Sequence, residues 1–311
     1  MVNTPSSIVR SPTIPGPEPN IHRPRNPLPM GACDCHAHIF GPQDRFPYQS
    51  TAAYIPPDAV PRDYVRMLTT IGCRRAVLVQ PSVYGADNSC MVAAMTSGEF
   101  DFRGVAVITE NVGDAELDAL HHAGTRGVRI NVASKTAGLT LEQAPRIAAR
   151  VKPLGWHLQF LVRIGQSPAF ESAIAQFPVA CVIDHLAHVN VALGAQSPEF
   201  AALLRLARLD HVWFKLTAPY RLSSQGPHYP DVAPLAQALV AAAPDRCVWG
   251  TDWPHPNATY MPNDGDLADA LAEWFPDATI RHRLLVDNPA RLYGFEEPQS
   301  GPAGYKTGEQ K

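Results

Sequence analysis

The sequence predicts an α/β protein built as a (β/α)8 TIM-type barrel. Short apolar runs alternate with helical segments eight times between residues 31 and 295, which is the pattern of parallel strands joined by helices. The first run ends in His36-Ala37-His38, and no glycine-rich phosphate turn of the kind that typically opens a doubly wound sheet follows it. We therefore favour a closed barrel over an open sheet.

Composition and charge exclude several classes of protein. The chain has 311 residues, of which 45% are hydrophobic and 18% are charged, and this is enough apolar material for a sizeable core. A net charge of −3 without a basic run argues against a nucleic-acid partner. The sequence has no long apolar run and no apolar leader, so we expect a cytoplasmic protein that does not contact a membrane. The 6 cysteines are widely spaced, and we expect them to be reduced and buried.

Three segments are expected along the chain. Residues 1–30 are rich in proline and poor in apolar residues, which predicts an extended N-terminal arm. This arm would be disordered, or would lie on the barrel or on a second subunit of a homo-oligomer. Residues 31–295 form the barrel, and residues 296–311 form a polar C-terminal tail.

The individual elements follow from the apolar pattern. A strand buried on both faces is apolar throughout, whereas a helix repeats its apolar residues every three or four positions. The expected strands are 31–38, 75–80, 104–108, 127–131, 157–162, 179–184, 212–216 and 247–250. The clearest helices are 58–71, 115–122, 141–151, 198–209 and 232–243.

The pair His36 and His38 is the strongest single chemical signal. Alternate side chains of a strand share a face, and the C-terminal ends of barrel strands form the active site. Two neutral imidazoles at that position can bind a divalent metal ion. Cys33 and Cys35 would then lie on the opposite face of the strand, and we interpret them as core residues.

Polar and titratable residues follow the other strands in the same way. They are Gln80, Ser82, Tyr84, Arg129, Asn131, Asp184, His185, His188, Lys215, Tyr220, Arg221, Asp252 and His255. We expect His36, His38 and His185 to bind one divalent ion such as Zn²⁺, with Asp252 as a further ligand or beside it. The candidate general base toward water is Asp252, or His185 if no metal is bound.

Arg129, Lys135 and Arg221 form a second group of candidate site residues. A buried guanidinium without a partner is costly, so three cations near one pocket predict an anionic substrate bound by forked hydrogen bonds. The alternative is that some of these cations form ion pairs with carboxylates of the chain, such as Asp184.

Six motifs are specific when they are taken together. They are Cys33-Asp-Cys-His-Ala-His-Ile-Phe-Gly-Pro42, Arg126-Gly-Val-Arg129, Asp184-His185, Tyr220-Arg-Leu-Ser223, Trp249-Gly-Thr-Asp-Trp-Pro-His-Pro256 and Val286-Asp-Asn-Pro-Ala-Arg-Leu-Tyr293. This set resembles the amidohydrolase superfamily (its amidohydrolase 2 group of metal-dependent hydrolases), and in particular its lactonase branch, from about residue 30 to residue 295.

The resemblance implies a distorted, amidohydrolase-like barrel and an enzyme that opens an anionic lactone in aromatic-compound catabolism. It implies that Asp252 accepts the proton of the attacking water and that histidines surround the carbonyl. Members of the branch differ in their use of zinc, so a bound Zn²⁺ and metal-independent catalysis both stay open. The implied substrate contacts are Tyr54, Ser82, Arg129 and Arg221, to which we add Lys135, His188 and His255.

Three positions depart from the pattern of the pyrone dicarboxylate enzymes. Lys135 and His188 stand where arginines are expected, and Leu161 stands where a tyrosine is expected. Lysine cannot form the two-pronged contact that an arginine makes with a planar carboxylate. We therefore expect 4-sulfomuconolactone, hydrolysed to maleylacetate and sulfite, ahead of 2-pyrone-4,6-dicarboxylate. A metal-dependent decarboxylase is the alternative activity, and carbon dioxide release would distinguish it.

Overall fold

The centre of the molecule is a sheet of eight parallel strands. A computed structural model describes residues 12–133 and 139–296, and in it each strand pairs with the next in the order β1 to β8. The strands are β1 Cys33–Ala37, β2 Arg75–Val79, β3 Asp101–Ala106, β4 Thr125–Asn131, β5 His157–Leu161, β6 Cys181–Ile183, β7 Val212–Thr217 and β8 Cys247–Gly250. The predicted (β/α)8 barrel is confirmed.

Helices cover the outside of the sheet. They are α1 Pro61–Ile71, α2 Ser89–Met95, α3 Asp114–His122, α4 Ala144–Val151, α5 Phe170–Ile174, α6 Pro198–Leu206, α7 Ala233–Ala242, α8 Asp264–Trp274, α9 Ala278–His282 and α10 Asn288–Tyr293. In α1 the buried side chains recur at helical spacing, Pro61 lies in the first turn, and Gly72 ends the helix with φ of 96°. Within the described ranges, no helix combines the length and apolar character needed to cross a membrane.

Apolar side chains form two layers, one on each side of the sheet. The larger layer lies between the strands and the helices. The smaller layer fills the barrel interior with residues such as Val77, Val105 and Val248, and Tyr293 from α10 completes it. All six cysteines are free and buried, as the sequence predicts.

Strand β1 is irregular, and this corrects one expectation. Its pairing register with β2 shifts within residues 34–37. Cys33 and Cys35 pack in the barrel interior, and His36 also lies inside, with its Nδ1 3.4 Å from Lys215 Nζ. The prediction that the two cysteines face away from His36 is wrong, because a bulge places consecutive side chains on the same side of a strand.

The described part of the N-terminal arm, residues 12–30, lies against its own barrel. Arg25 Nε donates a hydrogen bond of 3.1 Å to Asp269 Oδ2 on α8, and the Asp269 side chain is 1% exposed. The backbone N–H of Arg25 donates to the other oxygen of the same carboxylate at 2.8 Å. Residues 1–11 and 297–311, which hold the rest of the predicted arm and tail, lie outside the described residues.

Candidate active site

The site forms where the chain after β8 meets β1. The backbone N–H of Asp252 donates to the carbonyl of His36 at 2.8 Å, and the N–H of His38 donates to the carbonyl of Trp253 at 2.7 Å. These two bonds continue the barrel past the end of β8. They place the side chains of His36, His38 and Asp252 at the C-terminal end of the strands. This is the end at which barrel enzymes build their active sites.

Two imidazole nitrogens and one carboxylate oxygen converge in this cluster. His36 Nε2 lies 3.6 Å and His38 Nε2 3.5 Å from Asp252 Oδ1, and all three side chains are buried. His36 Nε2 has no hydrogen-bond partner. Ligand atoms around a tetrahedral zinc ion with bonds of about 2.0–2.1 Å lie about 3.4 Å apart. The donor set and its spacing therefore fit a divalent metal ion.

The protonation state of the two histidines supports metal binding. His38 Nδ1 lies 2.7 Å from the Val79 carbonyl, which can only accept, so Nδ1 carries the proton and the Nε2 lone pair faces Asp252. Burial lowers the pKa of His36 to about 3 and also lowers the pKa of His38. Both rings are therefore neutral near pH 7, which is the form that binds metals.

A second group of potential ligands shares His36. The ligand atoms of His36, Asp184 and His185 lie within 4.8 Å of one another, and the same is true of the group formed with His38 and Asp252. His185 Nδ1 forms a hydrogen bond of 2.6 Å with Thr217 Oγ1, which leaves its Nε2 for a ligand. The structure thus brings the predicted ligands together and adds Asp184, to which the sequence analysis gives no ligand role.

Asp184 is a buried anion beneath the cluster. Gln159 Nε2 donates to its Oδ2 at 3.1 Å, and Lys215 Nζ lies 3.8 Å from its Oδ1. Burial alone would raise the pKa of Asp184, but His36 and Lys215 outweigh it and hold the pKa far below its ordinary value. The carboxylate stays ionised and offsets the positive charge of the buried lysine.

The two oxygens of Asp252 have different surroundings. Oδ2 accepts from Tyr220 Oη at 2.6 Å, from Arg221 Nε at 3.0 Å and from Arg221 Nη2 at 2.8 Å, while Oδ1 faces the two histidines of β1. Burial raises the pKa of Asp252, but Arg221 and His185 hold it well below its ordinary value. Oδ1 is therefore the oxygen available to accept a proton from water.

A left-handed turn follows β6 and positions His185 and His188. Four consecutive residues, His185–His188, have φ between 49° and 52°. The left-handed conformation costs non-glycine residues about 1–2 kcal/mol each, and such strain is typical of functional sites. In this turn His185 reaches Thr217, and His188 Nδ1 lies 3.3 Å from the Val162 carbonyl.

A cavity of about 410 Å³ opens beside the cluster. Its wall contains both candidate catalytic residues, Asp252 and His185, together with His38. The predicted substrate contacts that line it are Tyr54, Ser82, Arg129, His188 and Arg221. Lys135 lies outside the described residues, so its predicted role stays a prediction.

His255 has a different place from the one predicted. It does not line the cavity but is buried behind Tyr220, with Nδ1 3.3 Å from the Tyr220 hydroxyl and Nε2 3.2 Å from Asp264 Oδ1. The predicted contact between His255 and the substrate stays a prediction. Since Tyr220 donates to Asp252, His255 and Asp264 can orient the hydroxyl that holds the carboxylate.

The arginines of the cavity are not equivalent. Arg221 is committed to Asp252, which matches the alternative that some predicted cations form ion pairs with the chain. Arg129 Nη1 donates to the Gln80 carbonyl at 3.1 Å, its Nη2 lies 4.0 Å from Asp184 Oδ2, and its buried Nε has no partner. Arg163 also lines the cavity and is absent from the predicted set. Its place two residues after β5 is the signal that could have identified it.

Taken together, a (β/α)8 barrel with a histidine–carboxylate cluster at its C-terminal end defines a hydrolytic enzyme with a candidate metal centre. Residues 33–295 match the profile of the amidohydrolase family. The chain belongs to this family, as the resemblance of its motifs predicts. When bound by these residues, a divalent ion would polarise a substrate carbonyl and lower the pKa of a water molecule.

The similar proteins include two lactone hydrolases. A 2-pyrone-4,6-dicarboxylate hydrolase of Comamonas testosteroni is 40% identical, with 89% of this chain and 95% of the relative covered. A 4-sulfomuconolactone hydrolase of Hydrogenophaga intermedia is 36% identical, with coverage of 91% and 95%. A crystal structure of an Agrobacterium tumefaciens protein superposes with a TM-score of 0.80 at 27% identity, over 88% of this chain and all of that one.

Proposed function

We propose that this protein hydrolyses a lactone that carries two anionic groups, with 4-sulfomuconolactone as the first substrate to test. The observation that carries the proposal is the charge of the cavity wall. Among the described residues, three arginines (Arg129, Arg163 and Arg221) and one carboxylate (Asp252) line it. With neutral histidines, three positive charges against one negative charge leave a net charge of +2 on the wall. A dianionic substrate would neutralise this charge, whereas a neutral lactone would leave it uncompensated.

The position of the charge relative to the cluster supports hydrolysis. The carbonyl of a bound lactone would lie beside His38, His185 and Asp252, while the arginines hold the acidic groups away from the reacting carbon. Water attacks the carbonyl, Asp252 Oδ1 accepts a proton from it, and His185 stabilises the oxyanion through its Nε2–H, since its Nδ1 can accept from the Thr217 hydroxyl. The carbon–oxygen bond of the ring then breaks, and the ring oxygen takes the proton from Asp252 and leaves as a hydroxyl group, which returns Asp252 to its ionised form.

For 4-sulfomuconolactone this one step is sufficient. The released hydroxyl lies on the carbon that carries the sulfonate, and an α-hydroxysulfonate collapses to a ketone. The carbon–sulfur electron pair leaves with sulfite, and the hydroxyl proton is lost to solvent. The products are maleylacetate and sulfite, and no further catalytic group is needed. The relatives named for this substrate and for 2-pyrone-4,6-dicarboxylate support the reaction class.

The substrate 2-pyrone-4,6-dicarboxylate is the second candidate, because it also carries two anionic groups and the relative named for it is 40% identical. Leu161 and His188, which differ from the pattern of the pyrone enzymes, both line the cavity and favour the sulfonated lactone. The purified protein should be assayed with both compounds and with a neutral lactone of the same ring size.

We expect turnover of a dianionic lactone with kcat/KM at least about 10²-fold above that of the neutral one, since an uncompensated buried charge pair costs about 2–5 kcal/mol. Sulfite release identifies the first substrate, and carbon dioxide release would instead indicate a decarboxylase. Equal kcat/KM values for neutral and dianionic lactones would contradict the proposal.

A further inference from the structure

Arg163 differs from every other charged residue of the cavity wall. Its side chain forms no ion pair and no hydrogen bond with the described part of the chain, whereas Arg221 is bonded to Asp252 and Arg129 to the Gln80 carbonyl. Arg163 is exposed, so the guanidinium is hydrated while the cavity is empty and can exchange water for an anion at little cost. Among the described residues, none neutralises the positive charge of Arg163.

The backbone around Arg163 is held in place. The Leu161 carbonyl at the end of β5 accepts the N–H groups of Val132 and Ala133 at 2.8 and 3.0 Å. The carbonyl of Arg163 itself accepts the N–H of Gln166 at 2.9 Å, which starts a short turn. The guanidinium therefore extends into the cavity from a fixed point beside β4, and only the flexible side chain has to adapt to a ligand.

The location of Arg163 separates it from the reacting groups. The residues of the histidine–carboxylate cluster come from β1, the turn after β6 and the chain after β8, while Arg163 follows β5, which lies between the strand of Arg129 and β6. A substrate with its carbonyl at the cluster can reach this side of the cavity only with a substituent. That substituent has to be an anion with at least two oxygens if it is to use the fork of a guanidinium.

We propose that Arg163 is a specificity-determining residue that binds the second anionic group of the substrate, a carboxylate or a sulfonate remote from the scissile carbonyl. The assignment rests on the proposed lactone hydrolase function and deepens it. Arg163 takes no part in the chemical step. Its loss therefore raises KM for dianionic lactones and leaves kcat almost unchanged.

The test compares Arg163→Met and Arg163→Lys with the unmodified protein and with Arg208→Met. Arg208 is an exposed arginine that does not line the cavity, so its replacement controls for a simple loss of surface charge. The kinetic constants are measured with 4-sulfomuconolactone and with muconolactone, which lacks the sulfonate. The difference between the two lactones gives the contribution of the second anionic group. For Arg163→Met we expect KM to rise about 10-fold with the first lactone and less than about 2-fold with the second. Arg163→Lys keeps the charge and loses the fork of the guanidinium, so its KM for 4-sulfomuconolactone should lie between those of the unmodified protein and Arg163→Met.

A binding measurement makes the result independent of turnover. Isophthalate carries two carboxylates in the arrangement of 2-pyrone-4,6-dicarboxylate and cannot be hydrolysed, and benzoate carries one. By calorimetry the unmodified protein and Arg208→Met should bind isophthalate at least about 10-fold more tightly than benzoate, and Arg163→Met should lose this difference. If no lactone is turned over but this loss is seen, the proposed function fails and the anion site stands. Equal affinity of the unmodified protein for both acids, or unchanged isophthalate binding by Arg163→Met, would overturn the assignment.

Discussion

At the scale of single residues, the two oxygens of Asp252 have different roles in the site. Oδ2 is saturated by three hydrogen bonds from Tyr220 and Arg221, and these bonds fix the plane of the carboxylate. Oδ1 has the two imidazole nitrogens of β1 as close neighbours. A carboxylate held in this way stays ionised and presents one lone-pair-bearing oxygen toward the position of water.

Replacing Asp252 with asparagine should test this division directly. The amide oxygen of the new side chain can still accept from Tyr220 and Arg221, so we expect the fold and much of the substrate affinity to persist. The oxygen that takes the proton is replaced by an amide nitrogen, and kcat should fall by about 10² or more. Asp210→Asn, at an exposed position, is the control. Near-normal turnover by Asp252→Asn would move the role of base elsewhere, and His185 is the next candidate.

Arg129 and Arg221 should give different kinetic signatures when each is replaced by Met. Both arginines follow strands of the barrel, but Arg221 is bonded to Asp252, whereas Arg129 donates to the Gln80 carbonyl and its Nη2 lies 4.0 Å from Asp184 Oδ2. Loss of Arg221 removes two of the three bonds to Oδ2, so we expect kcat to fall together with kcat/KM. Loss of Arg129 should act mainly on KM of dianionic lactones, by about 10-fold. Identical changes in kcat for the two variants would show that the bonds to Asp252 do not matter for turnover.

At the scale of elements, the site depends on the close approach of β1 and β8. Gly250 ends β8, and a Cβ at this position would lie 2.6 Å from the backbone nitrogen of His36 and 2.8 Å from Asp34 Oδ1. Asp34 in turn accepts hydrogen bonds from the N–H of Thr251 at 2.9 Å and from its hydroxyl at 2.6 Å. The missing side chain of Gly250 therefore lets the strand that carries the histidines and the segment that carries Asp252 lie side by side.

Gly250→Ala should destabilise the protein and displace His36. The contacts are with backbone and with a bonded carboxylate, which cannot move aside, so we expect a loss of about 1–3 kcal/mol in the free energy of unfolding. Activity should fall as well, because the shift moves a ligand of the cluster. Gly113→Ala is the matched control, since nothing lies within 4 Å of the added methyl and its φ is −78°. Equal denaturation midpoints for the two variants would show that β1 and β8 can separate without cost.

At the scale of the whole molecule, the apolar pattern was sufficient for the architecture. Eight buried strands each produce a short apolar run, and each strand pairs with the next in chain order. The position of candidate site residues after the strands followed from the same pattern, because the C-terminal ends of all strands meet at one edge. The apolar period and the succession of apolar runs along the chain are local properties of a sequence, which is why the strands could be predicted.

Other features depend on contacts between distant parts of the chain. The bulge in β1 and the left-handed turn His185–His188 contain no glycine that would mark them. The pairing of Arg221 with Asp252, and the lack of a partner for Arg163 among the described residues, depend on how loops from separate strands pack. A list of cations at strand ends predicts a positive cavity, but it cannot distinguish a structural cation from one that is available to a substrate.

Metal binding would be a property of the assembled barrel, because the candidate ligands come from β1, the chain after β6 and the chain after β8. The cluster exists only in the folded protein, so a bound ion should stabilise the fold as well as support catalysis. At a free metal concentration about 100-fold above Kd, the expected stabilisation is about 2.7 kcal/mol. Removing the ion with a chelator should therefore lower both the melting temperature and the activity, and added Zn²⁺ should restore both.

His36→Asn separates this effect from nonspecific metal binding. The variant should lose the shift in melting temperature on addition of Zn²⁺, because Nε2 of His36 is an unpartnered nitrogen and His36 belongs to both ligand groups. His282→Asn removes a half-exposed histidine that belongs to neither ligand group, so this variant should keep the shift in melting temperature. Metal content, melting temperature and turnover should be measured on the same preparations. Full activity in protein shown to be free of metal would assign the histidines to hydrogen bonding with the substrate carbonyl and leave Asp252 to activate water without a metal ion.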